Sequence, residues 1–281
     1  MNSSWYDVDE ILPGIWRVND GDLDTSYVLC GSVRTGVIDT GLGVGDLAAI
    51  VAGLNSAPPL VINTHTHPDH ASGNYQFADV SMTAEEWTLA RAWDATARKL
   101  RAEGQAGADA LEMMRPQRPL PATFDPATYG THPLTEPVRL WSDGETIDLG
   151  GFSLEAIVAP AHTLGGLCLL DRQRRVMFTG DTVLQGTIWL HLDHAAAPDV
   201  ALATYERLAG YADAVDWLLP AHGTRMLPGS FLTDLYDGLC RVWDGAIGPV
   251  FMSTFAGDGW YYDLGGYGPL FAQRIDDAEH A

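Results

Sequence analysis

Between Thr64 and Asn74 the chain reads Thr64-His65-Thr66-His67-Pro68-Asp69-His70-Ala71-Ser72-Gly73-Asn74, with four potential metal ligands, His65, His67, Asp69 and His70, inside six residues. In an extended or turning segment side chains two apart share a face, so His65 and His67 can point together while Asp69 and His70 turn to another side. One loop can then feed two adjacent metals. Imidazole nitrogen and carboxylate oxygen suit zinc, iron or manganese. A lone His-x-His would carry little weight, because a satisfied core histidine is more common. Three further candidates strengthen it. His162 follows Val158-Ala159-Pro160-Ala161, Asp181 follows Phe178-Thr179-Gly180, and His222 follows Leu218-Leu219-Pro220-Ala221 and precedes Gly223. Each is a polar residue directly after an apolar run, beside small residues that let a ligand approach, and His/Asp clusters of this kind mark metal or catalytic sites.

These residues need strand ends to present them. Leu60-Val61-Ile62 reads as a short apolar strand running straight into His65. Before it, Ile15 to Val18, Ser26 to Cys30 and Gly36 to Asp39 form an opening β-meander between turn signals. Asp46 to Leu54 has helical period. Ala84 to Ala102 reads as a helix with Thr83 as N-cap and Glu85-Glu86 favouring its first turn. From Glu103 to Pro137 the pattern breaks down, with prolines at 116, 119, 121, 126, 133 and 137. A loop of this length is expected to be functional, and residues 103–137 are read as a lid insertion. In that reading Phe124 and Tyr129 meet an acyl chain, and Arg115 and Arg118 meet an anionic head group. A second β-rich series follows: Glu145 to Leu149, Phe152 to Val158, Gly166 to Leu170 and Val176 to Thr179. Asp199 to Ala209 reads as a helix, Val215 to Leu219 as a buried strand and Phe231 to Trp243 as a helix. The Gly- and aromatic-rich segment from Phe255 to Tyr267 shows no clear element, and its Trp260-Tyr261-Tyr262 and Tyr267 suit either an apolar wall or an oligomer contact. Strands then helix, twice over, suits two mixed sheets with helices outside. The expectation is one domain over residues 1–281, with a C-terminal extension at 226–281.

Composition narrows the function classes. The formal net charge of −21 repels phosphate backbones, so nucleic acid is not an expected partner. A small-molecule substrate is, and a homo-oligomer stays open. Cys30, Cys168 and Cys240 are far apart, form no CxxC motif and are expected as free thiols. The N-terminus has neither a basic nor an apolar leader region, and no apolar run reaches membrane-spanning length. The expected location is therefore the cytoplasm and no membrane is an expected partner.

The pattern His65-x-His67-x-Asp69-His70, then His162, Gly180-Asp181 and His222-Gly223, resembles the signature of the metallo-β-lactamase superfamily. Val37-Ile38-Asp39-Thr40-Gly41 resembles that family's early motif, and the likeness runs from residue 11 to residue 225. It implies an α+β fold, an αββα sandwich of two mixed β-sheets flanked by helices, with the metals at one edge between the sheets. By position His65, His67 and His162 would hold a first metal, Asp69, His70 and His222 a second, and Asp181 would bridge them. The resemblance implies two divalent ions, zinc first with manganese or iron as alternatives. It also implies a metal-dependent hydrolase in which a metal-bridging hydroxide attacks an acyl carbonyl. Asp69 is then the catalytic candidate, accepting a proton or orienting the nucleophile, and Asp39 supports the site from behind. Thr64 to Asn74 and Gly180 to Leu184 are most similar to glyoxalase II-type thioesterases and acyl-CoA hydrolase-like relatives, which implies a thioester, ester or lactone. The alternatives are an iron-dependent sulfur oxidoreductase resembling persulfide dioxygenases, or a β-lactamase-like amide hydrolase. Trp189, His191 and His194, just beyond Asp181, join Phe124 and Tyr129 as candidate substrate contacts.

Overall fold

The computed structural model describes residues 5–102, 118–223 and 225–275. The chain forms two compact units, Met1–Leu154 and Glu155–Ala281.

In the first unit β1 (Tyr6–Leu12), β2 (Ile15–Asp20), β3 (Asp24–Cys30) and β4 (Thr35–Ile38) make an antiparallel meander. After α1 (Leu47–Leu54) the chain switches to parallel pairing. β5 (Pro59–Ile62) joins β4, β6 (Val80–Thr83) joins β5, and β7 (Arg139–Trp141) joins β6, completing a seven-stranded mixed sheet in sequence order. The short helix α2 (Pro68–Ala71) and the long helix α3 (Ala84–Ala102) follow β5 and β6, and a short β8 (Thr146–Asp148) closes the unit. The start of α1 is set by Asp46, whose Oδ1 accepts from the Ala49 amide at 2.9 Å. Thr83 Oγ1 does the same for the Glu86 amide at 3.3 Å at the start of α3. The core under this sheet is built from Val18, Val28, Val37, Val61 and Val80 with Trp5, Tyr6 and Leu47, all buried. The parallel register aligns Ile38 with Ile62 and Ile62 with Ser81, so the loops leaving β4, β5 and β6 emerge at one edge of the sheet. In open sheets that edge is where ligands bind.

The second unit contains β9 (Ser153–Val158), β10 (Leu167–Asp171), β11 (Val176–Gly180), β13 (Trp217–Pro220) and β14 (Leu227–Pro228), in that spatial order. β10 and β11 are antiparallel and β11 and β13 parallel, so this sheet is mixed as well. The helices α4 (Pro198–Ala209) and α5 (Phe231–Trp243) supply Tyr205, Leu208, Leu235 and Leu239 to its core.

A third sheet corrects the sequence reading. β12 (Thr187–Leu190), β15 (Val250–Thr254), β16 (Gly257–Tyr261) and β17 (Gly268–Phe271) pair in the order β12-β17-β16-β15. The stretch from Phe255 to Tyr267, which shows no element by pattern, therefore contains a complete strand. Trp260 and Tyr261 pair with Phe271 and Leu270. The glycines that blur the periodicity serve the turns: Gly257 sits at φ +136° where β15 reverses into β16, and Gly266 at φ +88° before β17.

Of the expected lid, residues 103–117 lie outside the described residues. Residues 118–137 are irregular apart from one 3-10 turn, Pro126–Thr128. This segment is pinned to the unit. Tyr129 is buried, and Arg118 pairs with both Asp7 and Asp22, so Arg118 is engaged by carboxylates and not held for a substrate head group. Arg115 is outside the described residues. No helix among the described residues is long and apolar enough to cross a membrane.

Candidate metal centre

Strand β5 delivers the loop that carries the ligands of the first unit. His65 and His67 follow it two residues apart, and His65 Nε2 lies 3.1 Å from His67 Nδ1. The other nitrogen of His65, Nδ1, is 3.1 Å from Thr64 Oγ1, and that hydroxyl donates to Asp39 Oδ2 at 2.6 Å. The Thr64 oxygen is thus left to accept from His65 Nδ1–H, and Nε2 carries the lone pair. Pro68 then starts α2, where its missing amide costs nothing, and the turn swings Asp69 and His70 away from the His-x-His pair. His70 Nδ1 is 3.1 Å from Asp39 Oδ2 and its Nε2 is 3.9 Å from Asp69 Oδ1. With Nδ1–H donated to Asp39, the lone pair of His70 is on Nε2, on the side of Asp69. The rings of His65 and His70 lie 3.9 Å apart by centroid.

Asp39 organises this arrangement. Its Oδ1 accepts from the Thr64 amide at 2.7 Å, and its Oδ2 accepts from Thr64 Oγ1 and from His70. Asp39, His65 and His70 offer donor atoms within 4.8 Å of one another, as a metal triad would. Both Asp39 oxygens are nevertheless taken by these donors, so we assign Asp39 to orienting His70 and Thr64, with ligation left to the imidazoles. Asp39 holds φ +59°, a conformation that Asp and Asn tolerate better than other residues.

Two more contacts hold the loop. The His70 carbonyl accepts from the Thr40 amide at 2.7 Å and from Asn63 Nδ2 at 3.3 Å. Glu86 on α3, 0% exposed, accepts at Oε2 from the Thr66 amide at 2.8 Å and from Thr66 Oγ1 at 2.9 Å. Thr66 stands between the two histidines, so Glu86 fixes the backbone that spaces them. Gly73, just past α2, packs where a Cβ would come within 2.3 Å of the Thr40 carbonyl.

The second unit presents three ligand candidates beyond β9, β11 and β13. His162 donates Nδ1–H to the Trp189 carbonyl at 2.7 Å, which directs Nε2 to Asp181 Oδ2 at 3.6 Å. His222 Nε2 lies 3.4 Å from the same Asp181 oxygen. Asp181 and His222 sit beyond neighbouring parallel strands whose ends register as Gly180 with Pro220.

The donor chemistry fits metal ions. Two imidazole nitrogens meet at 3.1 Å in one unit, and a carboxylate oxygen meets two Nε2 atoms in the other. In each case the opposite ring nitrogen of His65, His70 or His162 is anchored, the usual device for fixing a metal-binding tautomer. Nitrogen and oxygen donors without thiolate suit zinc, manganese or iron.

The candidate substrate contacts fall in two places. Phe124 and Tyr129 line a cavity in the first unit. Trp189, His191 and His194 lie in the second. Trp189 packs edge-on against His191 and Phe255 at centroid distances of 5.5 and 5.2 Å. Burial, then the positive charge His162 can carry, holds His194 down at about 4, and the same two causes lower His191. In sequence Glu86 reads as no more than a first-turn acid. The signal was present: Glu86, Ala90, Trp93 and Ala97 recur at i, i+4, i+7 and i+11, one helix face.

Comparison with known proteins identifies the family. The sequence model of the metallo-beta-lactamase superfamily matches residues 20–243. The acyl-coenzyme A thioesterase MBLAC2 of Bos taurus is 30% identical over 237 residues, covering 78% of this chain and 81% of that protein. The probable polyketide biosynthesis zinc-dependent hydrolase PksB of Bacillus subtilis is 28% identical over 95 residues, 34% of this chain and 41% of that protein. Among solved structures, a metallo-beta-lactamase family protein from Thermus thermophilus superposes with a TM-score of 0.60 at 19% identity, covering 85% of each chain. The sec-alkylsulfatase Pisa1 from Pseudomonas superposes at 0.63 with 19% identity over 86% of this chain, which spans only 42% of that protein. At these identities the superpositions speak for the fold alone.

Proposed function

The chain belongs to the metallo-β-lactamase superfamily and is a metal-binding hydrolase; on that premise we propose that it cleaves the acyl bond of a small-molecule thioester, with esters and lactones as related substrates. The observation that carries the reading is the meeting of His65 Nε2 and His67 Nδ1 at 3.1 Å, with His65 anchored from behind through Thr64 and Asp39. Ring nitrogens of two adjacent imidazoles brought to one point are a donor set that suits a cation. The relatives named as acyl-coenzyme A thioesterases favour a thioester over the other acyl bonds.

In this proposal His65, His67 and His162 hold one ion, Asp69, His70 and His222 hold a second, and Asp181 is shared between them. Zinc is the expected metal. Bound there, such ions supply an acidified water and polarise the acyl carbonyl. The chain's own groups do the rest. Asp69, with its side chain 17% exposed, can accept the proton released at its Oδ atoms and hand it to solvent. Asp39 keeps the proton of His70 on Nδ1, and the Trp189 carbonyl keeps that of His162 on Nδ1, so neither ring turns its N–H toward the reacting group.

The test is elemental analysis of gently purified protein, together with a panel of thioesters, lactones, β-lactams, phosphodiesters and persulfides on metal-defined protein. The reading expects two zinc or manganese ions per chain and the highest kcat/KM on a thioester. A single iron with oxygen uptake on a persulfide would replace it with a sulfur oxidoreductase.

A further inference from the structure

The first unit contains a cavity of about 200 Å³ beside the ligand loop. One wall is the loop itself, at Thr66, Pro68 and Ala71. The opposite walls are the inner face of α3, at Ala90, Trp93 and Ala97, and the irregular segment, at Phe124, Tyr129 and Leu134. We propose that this cavity receives the apolar acyl chain of the substrate, and that Ala90, Trp93 and Ala97 set the chain length it accepts. The inference rests on the acyl hydrolase reading above and names the substrate class within it.

Three observations lead here. The cavity adjoins the metal site within a single ring, because Trp93 stacks on His67 at 5.3 Å between centroids and 18° between planes. The ionisable groups in its wall are already engaged: Asp94 pairs with Arg98 at 2.7 Å, and the His132 ring stacks on Tyr75 at 3.6 Å. The rest of the wall is uncharged and mostly apolar, with Thr66, Ser72, Asn74, Thr128 and Thr135 as its polar members, which suits a neutral chain. Finally, the volume is below the roughly 300–1,000 Å³ of sites that take a whole drug-sized ligand. It holds about six or seven groups of water's size at ~30 Å³ each, which corresponds to the carbons beyond the carbonyl of a heptanoyl or octanoyl chain. Alanine at 90 and 97 is what keeps the α3 side open, since any larger side chain on that face would project into the space.

The experiment uses two probes on the full chain. Straight-chain fatty acids from acetate to dodecanoate are titrated into metal-free protein by calorimetry, and the matching acyl thioesters are assayed on the metal-loaded enzyme. Affinity should rise by about fourfold per methylene, the value of one buried methylene, up to octanoate and then level off. In Ala97→Phe the preference for octanoyl over acetyl thioester should fall by about tenfold, and in Leu134→Ala the optimum should move to a longer chain. The second variant guards against misfolding of the first, and circular dichroism checks both. A flat length dependence in the wild type, or unchanged chain preference in both folded variants, overturns the pocket. A wild type that binds the acids with the stated length dependence but cleaves none of the thioesters supports the pocket and overturns the thioester reading instead.

Discussion

Replacing Glu86 with alanine tests whether the helix behind the ligand loop controls metal retention. The carboxylate is fully buried and accepts two hydrogen bonds from Thr66, the residue between His65 and His67. In Glu86→Ala the Thr66 hydroxyl has a fallback, the Glu86 carbonyl at 3.4 Å. The Thr66 amide has none and is left in a dry setting, at about 1–3 kcal/mol. Loss of the carboxylate's packing adds to this, so the expected destabilisation is about 2–4 kcal/mol, read as a lower urea midpoint with unchanged slope. The loop then spaces its two histidines less firmly, and removal of such a supporting group typically lowers metal affinity 10–100-fold. A chelating-dye competition measures this directly. Glu86→Gln keeps one acceptor oxygen for Thr66 and should fall between wild type and alanine in both measurements. The reasoning is refuted if Glu86→Ala loses less than about 1 kcal/mol and its metal competes with the dye as in the wild type.

Asp39→Asn should keep the backbone at φ +59°, which Asn tolerates, yet lose the charge and one acceptor oxygen that hold His70 and Thr64, so metal affinity should drop by about 10–100-fold and the thermal midpoint should fall by the cost of one stranded buried donor. Asp39→Ala, measured beside it, should show an added loss of stability from backbone strain. Asp20 gives a pH dependence: burial raises its carboxyl from 3.8 to about 7, with a smaller push from Asp69 and an opposing hydrogen bond from the Leu42 amide. Because the folded value lies above the unfolded one, this contribution is fully present below pH 4 and is lost as pH rises toward 7, on the order of 4 kcal/mol in all. Melting curves should therefore fall more steeply from pH 4 to pH 8 in the wild type than in Asp20→Asn, and parallel curves would contradict the assignment. Asp181→Ala should abolish hydrolysis while circular dichroism stays native, since the side chain sits past the end of β11 and not inside the core. Near-normal turnover in that variant would show that Asp181 is not a shared ligand.

Much of the chemistry was legible in the sequence because it is local. Four ligand types within six residues need only one loop, and the spacing of His65 and His67 follows from side-chain alternation. Helices are local as well, and the bounds of α3 and α5 read from periodicity and capping coincide with the structure. Roles that depend on partners distant in the chain were not legible. Glu86 looks like an ordinary first-turn acid until the chain brings it against Thr66, 20 residues earlier. The resemblance places Asp39 behind the site, but the group it holds there, His70, lies 31 residues later and is fixed only by the fold. β16 and β17 are hidden because their glycines break the period of two, and what makes them strands is pairing, β16 with β17 and β17 with β12 about 80 residues upstream. The cavity likewise exists only where α2, α3 and an irregular segment meet, and no single stretch of sequence contains it. Sequence set which donors are available and how closely they are spaced; tertiary structure decided which are anchored, which are buried, and what space they enclose, because hydrogen bonding and burial are properties of neighbours that only the folded chain supplies.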